Sequence, residues 1–278
     1  MKRLDPQLLL LAPALALAGA LFVLPLLFTV EVGLFETSDV GAHLRRFLNR
    51  GAYLEVFYRT VWVSLAVAGL CTLIGYPVAY FIARQPADRR ALLIFLVLVP
   101  MWMSILVRTY SWMVVLGREG LVNATVLALG LASQPLQLMY TTGAVYLAMV
   151  QILLPFGIMA CLSAMADIDD GLVRAARILG ASPAEAFRRV YLPLSLEGVG
   201  TGFTLTFMLS MGFFIIPALV GGPRDALLAN LIATQVEHTN WSFAAALSCV
   251  LLLATLAIVT IIRALARVTV FSPGRAAA

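Results

Sequence analysis

Long apolar stretches without a charged residue constrain this chain more than any other feature of its sequence. They lie at residues 8–30, 60–83, 91–107, 120–166, 198–223 and 239–262. A helix rises about 1.5 Å per residue, so about 20 apolar residues cross a hydrocarbon core of about 30 Å. Charged residues make up only 12% of the sequence, against about a quarter in soluble domains. The sequence therefore predicts an all-α membrane protein.

We predict about six transmembrane helices. The third run continues through Arg108, because apolar and aromatic residues follow as far as Leu116. The longest run is divided because residues 130–143 are rich in Gly, Ser, Gln, Pro and Thr. Residues 121–132 are too short to cross and are expected to lie at the interface or to re-enter. The predicted spans, within a single transmembrane permease domain over residues 1–278, are at about residues 8–30, 60–83, 91–116, 140–165, 198–220 and 239–262.

The distribution of basic residues predicts that both termini are cytoplasmic. Lys and Arg are enriched in the short cytoplasmic loops of membrane proteins. Twelve of them fall on the side of the termini and six on the opposite side. The loops at residues 84–90 and 166–197 are then cytoplasmic. A cleaved signal peptide over residues 1–18 is the alternative for the first span, but the apolar run continues without interruption to Val30.

Several functional classes are disfavoured by the sequence. The net charge is +5, but the basic residues lie between apolar runs rather than in one patch, which argues against nucleic-acid binding. The three cysteines lie inside apolar runs without paired spacing, so neither a disulfide framework nor a metal site is predicted. The sequence contains no Gly-x-Ser-x-Gly, His-Glu-x-x-His or Walker A motif, which argues against an enzyme. A passive channel or membrane scaffold stays open as an alternative.

Loop 166–197 is longer than a connection between antiparallel helices requires. Asp169 or Asp170 can cap a short helix in its first half. Gly180 follows that helix at the position where a left-handed residue commonly ends a helix. We therefore predict that the first helix of the loop stops at Gly180.

A second short helix is predicted directly after the first. Ser182 provides a capping hydroxyl, Pro183 occupies the first helical position, and Glu185 completes a capping box. The helix is expected to run to about Tyr191 and to end at Pro193, which lacks a backbone donor. Loop 166–197 is thus predicted to be a helix–turn–helix facing the cytoplasm.

The same loop resembles the EAA motif of ABC importer permeases. Ala175 and Ala176 are followed after three residues by Gly180, and after nine more by the Val-Tyr-Leu-Pro sequence of residues 190–193. Arg174 replaces the glutamate of the family pattern. The resemblance implies that the loop docks on a separate ATP-hydrolysing subunit. The residues to which it assigns ATPase coupling are Arg174, Ala175, Ala176, Gly180, Ala181, Ser182, Glu185, Phe187, Val190, Leu192 and Pro193.

The resemblance also implies an assembly in a bacterial inner membrane. It consists of a second permease subunit, identical or related, two ABC ATPase subunits and an extracytoplasmic solute-binding protein. ATP and Mg²⁺ are then used by the ATPase subunits, and this chain binds no cofactor itself. The chain contacts membrane lipid and no nucleic acid.

The solute is suggested by further stretches that resemble the spermidine/putrescine branch of these permeases. They are residues 99–102, 106–112, 154–156, 216–222 and 240–241. The resemblance implies that polyamines are transported. Branches that carry an opine, a phosphonate, thiamine or ferric iron share much of this layout and stay open.

A cation path through this chain would depend on aromatic faces, because predicted spans two to six contain no Asp or Glu. Arg108, the only charge in the third span, either faces the path, where it would favour an anion, or extends to the exterior interface. Four prolines within spans are expected to kink helices or to act as hinges: Pro77, Pro100, Pro155 and Pro217. Three glycines are expected to allow close helix packing: Gly198, Gly200 and Gly202. The candidate path residues are Trp102, Arg108, Tyr110, Trp112, Tyr146 and Gln151.

Overall fold

A computed structural model describes residues 13–14, 16–35 and 41–270, and all regular secondary structure in this part of the chain is helical. The α-helices are α1 (Leu24–Phe35), α2 (Ala42–Asn49), α3 (Gly51–Ala83), α4 (Ala87–Leu98), α5 (Ile105–Leu116), α6 (Leu121–Ala128), α7 (Thr142–Ala166), α8 (Asp170–Ile178), α9 (Pro183–Ala186), α10 (Leu192–Met211), α11 (Ile215–Val220), α12 (Leu228–Glu237) and α13 (Trp241–Val270). Shorter turns are the π-helical Gly19–Val23 and Phe187–Tyr191 and the 3₁₀ turn Val99–Trp102.

Four helical segments among the described residues are long and apolar enough to cross a membrane: Ala16–Gly33, Gly51–Ala83, Thr142–Ala166 and Trp241–Ala264. The bent pair Ala87–Trp102 and Ile105–Ala128 provides a fifth if it is one broken span. The predicted all-α membrane class is therefore confirmed. The count of six spans and the cytoplasmic termini stay predictions. Residues 1–12 and 15, which include the start of the first predicted span and most of the alternative signal peptide, lie outside the described residues.

The predicted third span, residues 91–116, is not one continuous helix. α4 gives way to the 3₁₀ turn, and the two halves of the segment meet at an angle of 89°. Pro100 lies in this turn and has no N–H to donate, and Met103 adopts an extended conformation with ψ of 141°. The chain therefore leaves the helix here and restarts it at Ile105. The helix that contains the second predicted span, α3, begins at Gly51, nine residues before the predicted start of that span.

The prediction that Pro193 ends the second loop helix is wrong. The chain stays helical from Pro183 through the π-helical turn into α10. Within that turn the N–H of Leu192 donates to the carbonyl of Phe187, five residues earlier. Pro193 then lies directly after this π-helical turn, where the change of hydrogen-bond register accommodates a residue that has no N–H to donate. No break in the helix marks the predicted boundary between loop and span at residues 197 and 198, whereas the predicted fifth span is interrupted between Met211 and Ile215.

The four intramembrane prolines differ in their effect on the backbone. Pro77 and Pro155 lie inside the uninterrupted helices α3 and α7. Pro100 and Pro217 accompany the breaks in the third and fifth predicted spans. At Pro100 and Pro217 the helix is interrupted, which is a larger change in the backbone than the expected kink.

One structural unit contains residues 56–230 together with residues 254–278. Its central helix is α7, the most buried of the four spanning candidates. Gly198 and Gly202 of α10 face α7, where a Cβ on Gly198 would lie 2.5 Å from the Cβ of Ala164 and one on Gly202 would lie 3.2 Å from the carbonyl oxygen of Gly157. These two glycines allow close helix packing as predicted. Gly200 does not, because nothing lies within 4 Å of a Cβ placed there.

The other unit contains residues 1–55 and 231–253. Among the described residues of this unit, Phe243 has a fully buried ring. The rings of His43 and Tyr53 lie 5.7 and 5.3 Å from it, and the guanidinium of Arg46 lies 4.6 Å from its centroid. Phe243 is therefore the shared partner of these aromatic and cation–π contacts.

Candidate functional site

The first helix of loop 166–197 is closed at both ends by its own sequence. The carboxylate of Asp169 accepts a hydrogen bond of 2.7 Å from the N–H of Gly171. At the other end Gly180 has φ of +93°, and the N–H of Ala181 donates to the carbonyl of Ala176 at 3.1 Å. The N–H of Gly180 donates to Arg177, so both bonds of a Schellman motif are present. The predicted stop at Gly180 is confirmed.

The second helix begins with the predicted capping box. The N–H of Ser182 donates to the Glu185 carboxylate at 3.0 Å, and the N–H of Glu185 donates to the Ser182 hydroxyl at 3.3 Å. The bond from the Ser182 backbone is the main cause of a lowered pKa at Glu185. The ionised carboxylate therefore stabilises the loop above the ordinary pKa of a glutamate, and this contribution is lost as the pH falls through the lowered value.

The residues assigned to ATPase coupling fall into two groups by exposure. The exposed group contains Arg174, Ala175, Gly180, Ser182 and Pro193. The half-buried group contains Ala176, Ala181, Glu185, Phe187, Val190 and Leu192. The loop thus presents its turn and one side of its first helix outward, while one side of the continuous helix, at Ala186, Phe187 and Val190, packs inward. Tyr191, the second residue of the Val-Tyr-Leu-Pro sequence, is buried. This burial raises the pKa of its hydroxyl to about 12.

Two large apolar side chains at the outer end of the loop were missed in the sequence analysis. Ile178 is 86% exposed and Leu179 is 88% exposed. They end the first helix directly before Gly180, in a segment that otherwise carries Arg174 and Arg177. The signal was available, because two adjacent apolar residues before a left-handed glycine cannot both pack against their own short helix. Exposed apolar groups on a rigid, charged loop form a surface suited to a protein partner.

The structure brings together only some of the candidate path residues. The indole N–H of Trp112 on α5 donates to the Gln151 side-chain oxygen on α7 at 3.4 Å. Trp112 and Tyr146 both pack against the same hydrophobic core cluster. Trp102 and Tyr110, in contrast, are 74% and 54% exposed and lie on the surface of their unit. The pair Trp112 and Gln151 therefore forms a polar contact between α5 and α7.

Arg108 lies one helical turn before Trp112 on α5. Its side chain is half-buried, and its Nε and Nη1 atoms are buried without a hydrogen-bond partner among the described residues. Buried donors of a charged group are costly to leave unpaired. Arg108, the only charged residue in the predicted third span, is therefore held there at a cost in free energy.

A cavity lies at the end of α5 and is lined by none of the candidate path residues. It has a volume of about 530 Å³ and is lined by Met113, Leu116, Gly117, Arg118 and residues 136–140. The polar contact of Trp112 with Gln151 lies outside this lining. The position of the cavity therefore adds no support to the predicted path.

Asp225, in the connection between α11 and α12, is a third residue that the sequence analysis missed. It is only 8% exposed, and its carboxylate accepts hydrogen bonds from the Thr142 hydroxyl at 2.6 Å and the Gly222 N–H at 2.8 Å. A Cβ on Gly222 would lie 2.6 Å from the carbonyl oxygen of Tyr140. The connection is thereby held tightly against the beginning of α7. An acidic residue after Gly-Gly-Pro-Arg reads as exposed in the sequence, so its burial depends on tertiary contacts.

Replacing Asp225 with Asn is expected to loosen this connection. The amide has one acceptor oxygen instead of two and presents donors to groups that already donate, so about 1–3 kcal/mol of local stability is lost. Hydrogen exchange at residues 220–228 in the detergent-solubilised protein measures the effect. Faster exchange there than in α13 is expected, and unchanged exchange would show that the carboxylate is dispensable.

These features define a class before any relative is considered. The protein is an all-α membrane protein whose central helix α7 is followed by a rigid, doubly capped helix–turn–helix that exposes apolar side chains. Residues 72–270 match the family described as the inner membrane component of binding-protein-dependent transport systems. The chain belongs to this family. It is a multi-pass protein of the bacterial inner membrane and the permease subunit of an ABC importer.

Individual relatives agree with this assignment. The spermidine/putrescine transport system permease protein PotB of Escherichia coli strain K12 is 37% identical over 200 residues, which cover 72% of this chain and 73% of the relative. The protein of the same name from Haemophilus influenzae is 37% identical over 198 residues, covering 69% of each chain. A chain of the bacterial alginate ABC transporter, solved in complex with a periplasmic protein bound to an alginate pentasaccharide, has a TM-score of 0.74 at 17% identity and 96% coverage of both chains. The last likeness establishes a shared fold.

Proposed function

We propose that this permease subunit imports polyamines such as spermidine and putrescine, driven by separate ATPase subunits that dock on loop 166–197. The observation that carries the coupling role is the doubly capped loop with Ile178 and Leu179 exposed at its outer end. Its geometry is fixed before any partner binds, so little conformational freedom is lost on docking. The substrate class is supported by the identity to PotB.

The proposed assembly contains a second permease subunit, two ABC ATPase subunits and an extracytoplasmic solute-binding protein. The binding protein delivers the solute, and the ATPase pair uses ATP and Mg²⁺ to drive alternation. This chain has no Walker A sequence and so contributes no ATPase site. In this arrangement loop 166–197 faces the cytoplasm, as its arginines favour.

A cationic solute would find aromatic rather than acidic contacts in this chain. Trp112 contacts Gln151, Tyr146 packs against the same core cluster as Trp112, and aromatic faces bind ammonium groups with about 0.5–2 kcal/mol each. Arg108 supports a second candidate, an anionic solute such as an opine or a phosphonate, because its buried donors have no partner among the described residues. The two candidates differ in the charge of the solute that competes for uptake.

Uptake by the intact transporter tests the proposal. The tagged chain is purified from its native membranes, its co-purified subunits are identified, and the complex is reconstituted in vesicles with its binding protein. ATP-dependent uptake of radiolabelled spermidine or putrescine is expected, with competition by unlabelled polyamine and none by a phosphonate. Absence of polyamine uptake together with ATP-dependent uptake of a radiolabelled phosphonate would favour the second candidate. Absence of an ATPase subunit from the purified complex would contradict the coupling role.

Replacing Ile178 with Asp is expected to release the ATPase subunit from the complex. The charged side chain keeps the helix but places a carboxylate where an apolar group would be buried at the interface, which costs at least about 2 kcal/mol and lowers the affinity at least about 30-fold. Retention of the ATPase subunit on the tagged permease measures the effect. Ile178→Met is the control, because it keeps an apolar side chain of similar size. Equal retention by the two variants would exclude Ile178 from the interface.

A further inference from the structure

Two helical faces with matching spacing meet where loop 166–197 joins α10. Tyr76 and Tyr80 lie four residues apart on one side of α3, and Arg84 follows four residues later in the turn directly after that helix. Phe187, Tyr191 and Ser195 have the same interval on the continuous helix that begins at Pro183. Tyr76 contacts Ser195, whereas Tyr80, later on α3, contacts Phe187 and Tyr191, earlier on the other helix. The two helices therefore run antiparallel. We call these six residues the aromatic contact.

The aromatic end of this contact is formed by edge-to-face rings. The ring of Tyr80 lies 5.3 Å from that of Phe187 and 5.1 Å from that of Tyr191, at interplanar angles of 78° and 82°. The guanidinium of Arg84 lies 4.4 Å from the centroid of Tyr80 and 5.3 Å from that of Tyr191. Both geometries depend on orientation as well as on burial. A displacement of one helix along the other would therefore disrupt them.

The other end of the aromatic contact is a buried hydrogen bond. The hydroxyls of Tyr76 and Ser195 are 2.9 Å apart, and Ser195 is fully buried. The Ser195 hydroxyl donates to the carbonyl of Leu192 at 2.9 Å, which uses its only hydrogen. Tyr76 is therefore the donor and Ser195 the acceptor between the two helices. This bond fixes the register of α3 against the beginning of α10.

The position of the aromatic contact gives it a mechanical consequence. It includes both ends of the π-helical turn Phe187–Tyr191 and lies directly after the capping box of the loop. No break separates that capping box from α10, so a force on the loop is transmitted along one helix. We propose that Tyr76, Tyr80 and Arg84 are positioning residues for transport, which make α3 follow the displacement of loop 166–197. This inference rests on the proposed coupling of the loop to an ATPase.

The test separates coupling from assembly in the reconstituted transporter. Tyr80→Leu keeps an apolar side chain and removes the ring geometry. We expect at least a tenfold lower ratio of polyamine uptake to ATP hydrolysis, with the ATPase subunit still co-purifying and ATP hydrolysis retained. Tyr80→Phe keeps the ring and is expected to restore the wild-type ratio. Phe81→Leu is the matched control, because Phe81 is 57% exposed on another side of the same helix.

A double-mutant cycle examines the other end. Tyr76→Phe and Ser195→Ala are each expected to lower the ratio about threefold, and the double variant about as much as either one, because they remove the same bond. An unchanged ratio in both Tyr80→Leu and Tyr76→Phe would overturn the inference. Loss of the ATPase subunit together with thermal stability in Tyr80→Leu would overturn it too, since the contact would then be structural only. Failure of the proposed function is distinguishable, because the wild-type complex would itself lack the ATPase or the uptake.

Discussion

Gly180→Val is expected to abolish transport and release the ATPase subunit while membrane insertion stays normal. Gly180 has φ of +93°, a conformation that costs an L-residue about 1–2 kcal/mol and a β-branched residue more. Nothing lies within 4 Å of a Cβ placed there, so the backbone alone bears the cost. The Schellman bonds of the first loop helix would be lost, and Ile178 and Leu179 would move with them. ATP-dependent uptake and co-purification of the ATPase subunit measure the result.

Gly180→Asn is the discriminating control for this variant. Asn occupies the left-handed region far more readily than Val, although it also adds a side chain. Uptake by Gly180→Asn is therefore expected to exceed that of Gly180→Val at least about tenfold, which corresponds to about 1.4 kcal/mol. Equal loss in both variants would indicate that side-chain bulk at the interface matters rather than the conformation of the turn. Normal uptake in both would contradict the role of the loop turn in coupling.

The caps of loop 166–197 could be predicted from the sequence because their causes are local. Asp169, Gly180 and the Ser182–Glu185 pair each act on backbone groups within five residues, so spacing alone determines the contact. The same reasoning failed at Pro193, because the outcome there depends on the π-helical turn before it. A proline removes one donor wherever it lies, but the neighbouring turns determine whether the helix ends.

The path residues show a different limit. Trp112 and Gln151 lie on separate helices, and no local rule states that α5 presents this face to α7. Trp102 and Tyr110 are aromatic like Trp112 and lie close to it in the sequence, but their side chains are exposed on the surface of their unit. Asp225 was missed for the converse reason, because its burial depends on Thr142, far away in the sequence. The candidate site could thus be predicted from the sequence only where the contacting residues are close together in the sequence.

Gly198→Ala tests the packing that supports both the loop and the aromatic contact. The added methyl group would lie 2.5 Å from the Cβ of Ala164 and 3.3 Å from two backbone oxygens of α7, so α10 must move away from α7. Overpacking of this kind costs about 1–3 kcal/mol. We expect a lower melting temperature in detergent and a lower yield of folded protein. Gly200→Ala is the matched control, because its methyl group meets nothing within 4 Å and alanine favours the helix by about 1 kcal/mol.

A size exchange makes this prediction specific to one contact. The Cβ of Ala164 is the nearest obstacle to the new methyl group, so the double variant Gly198→Ala with Ala164→Gly returns one methyl group to the same space. Its melting temperature is expected to recover most of the loss, although glycine in α7 lowers helix stability by about 1 kcal/mol. Additive destabilisation by the two changes would show that Gly198 is required by its own backbone rather than by close approach to α7. Recovery of the melting temperature would establish that the close approach of α10 to α7 at Ala164 determines whether α10 can pack in its native position.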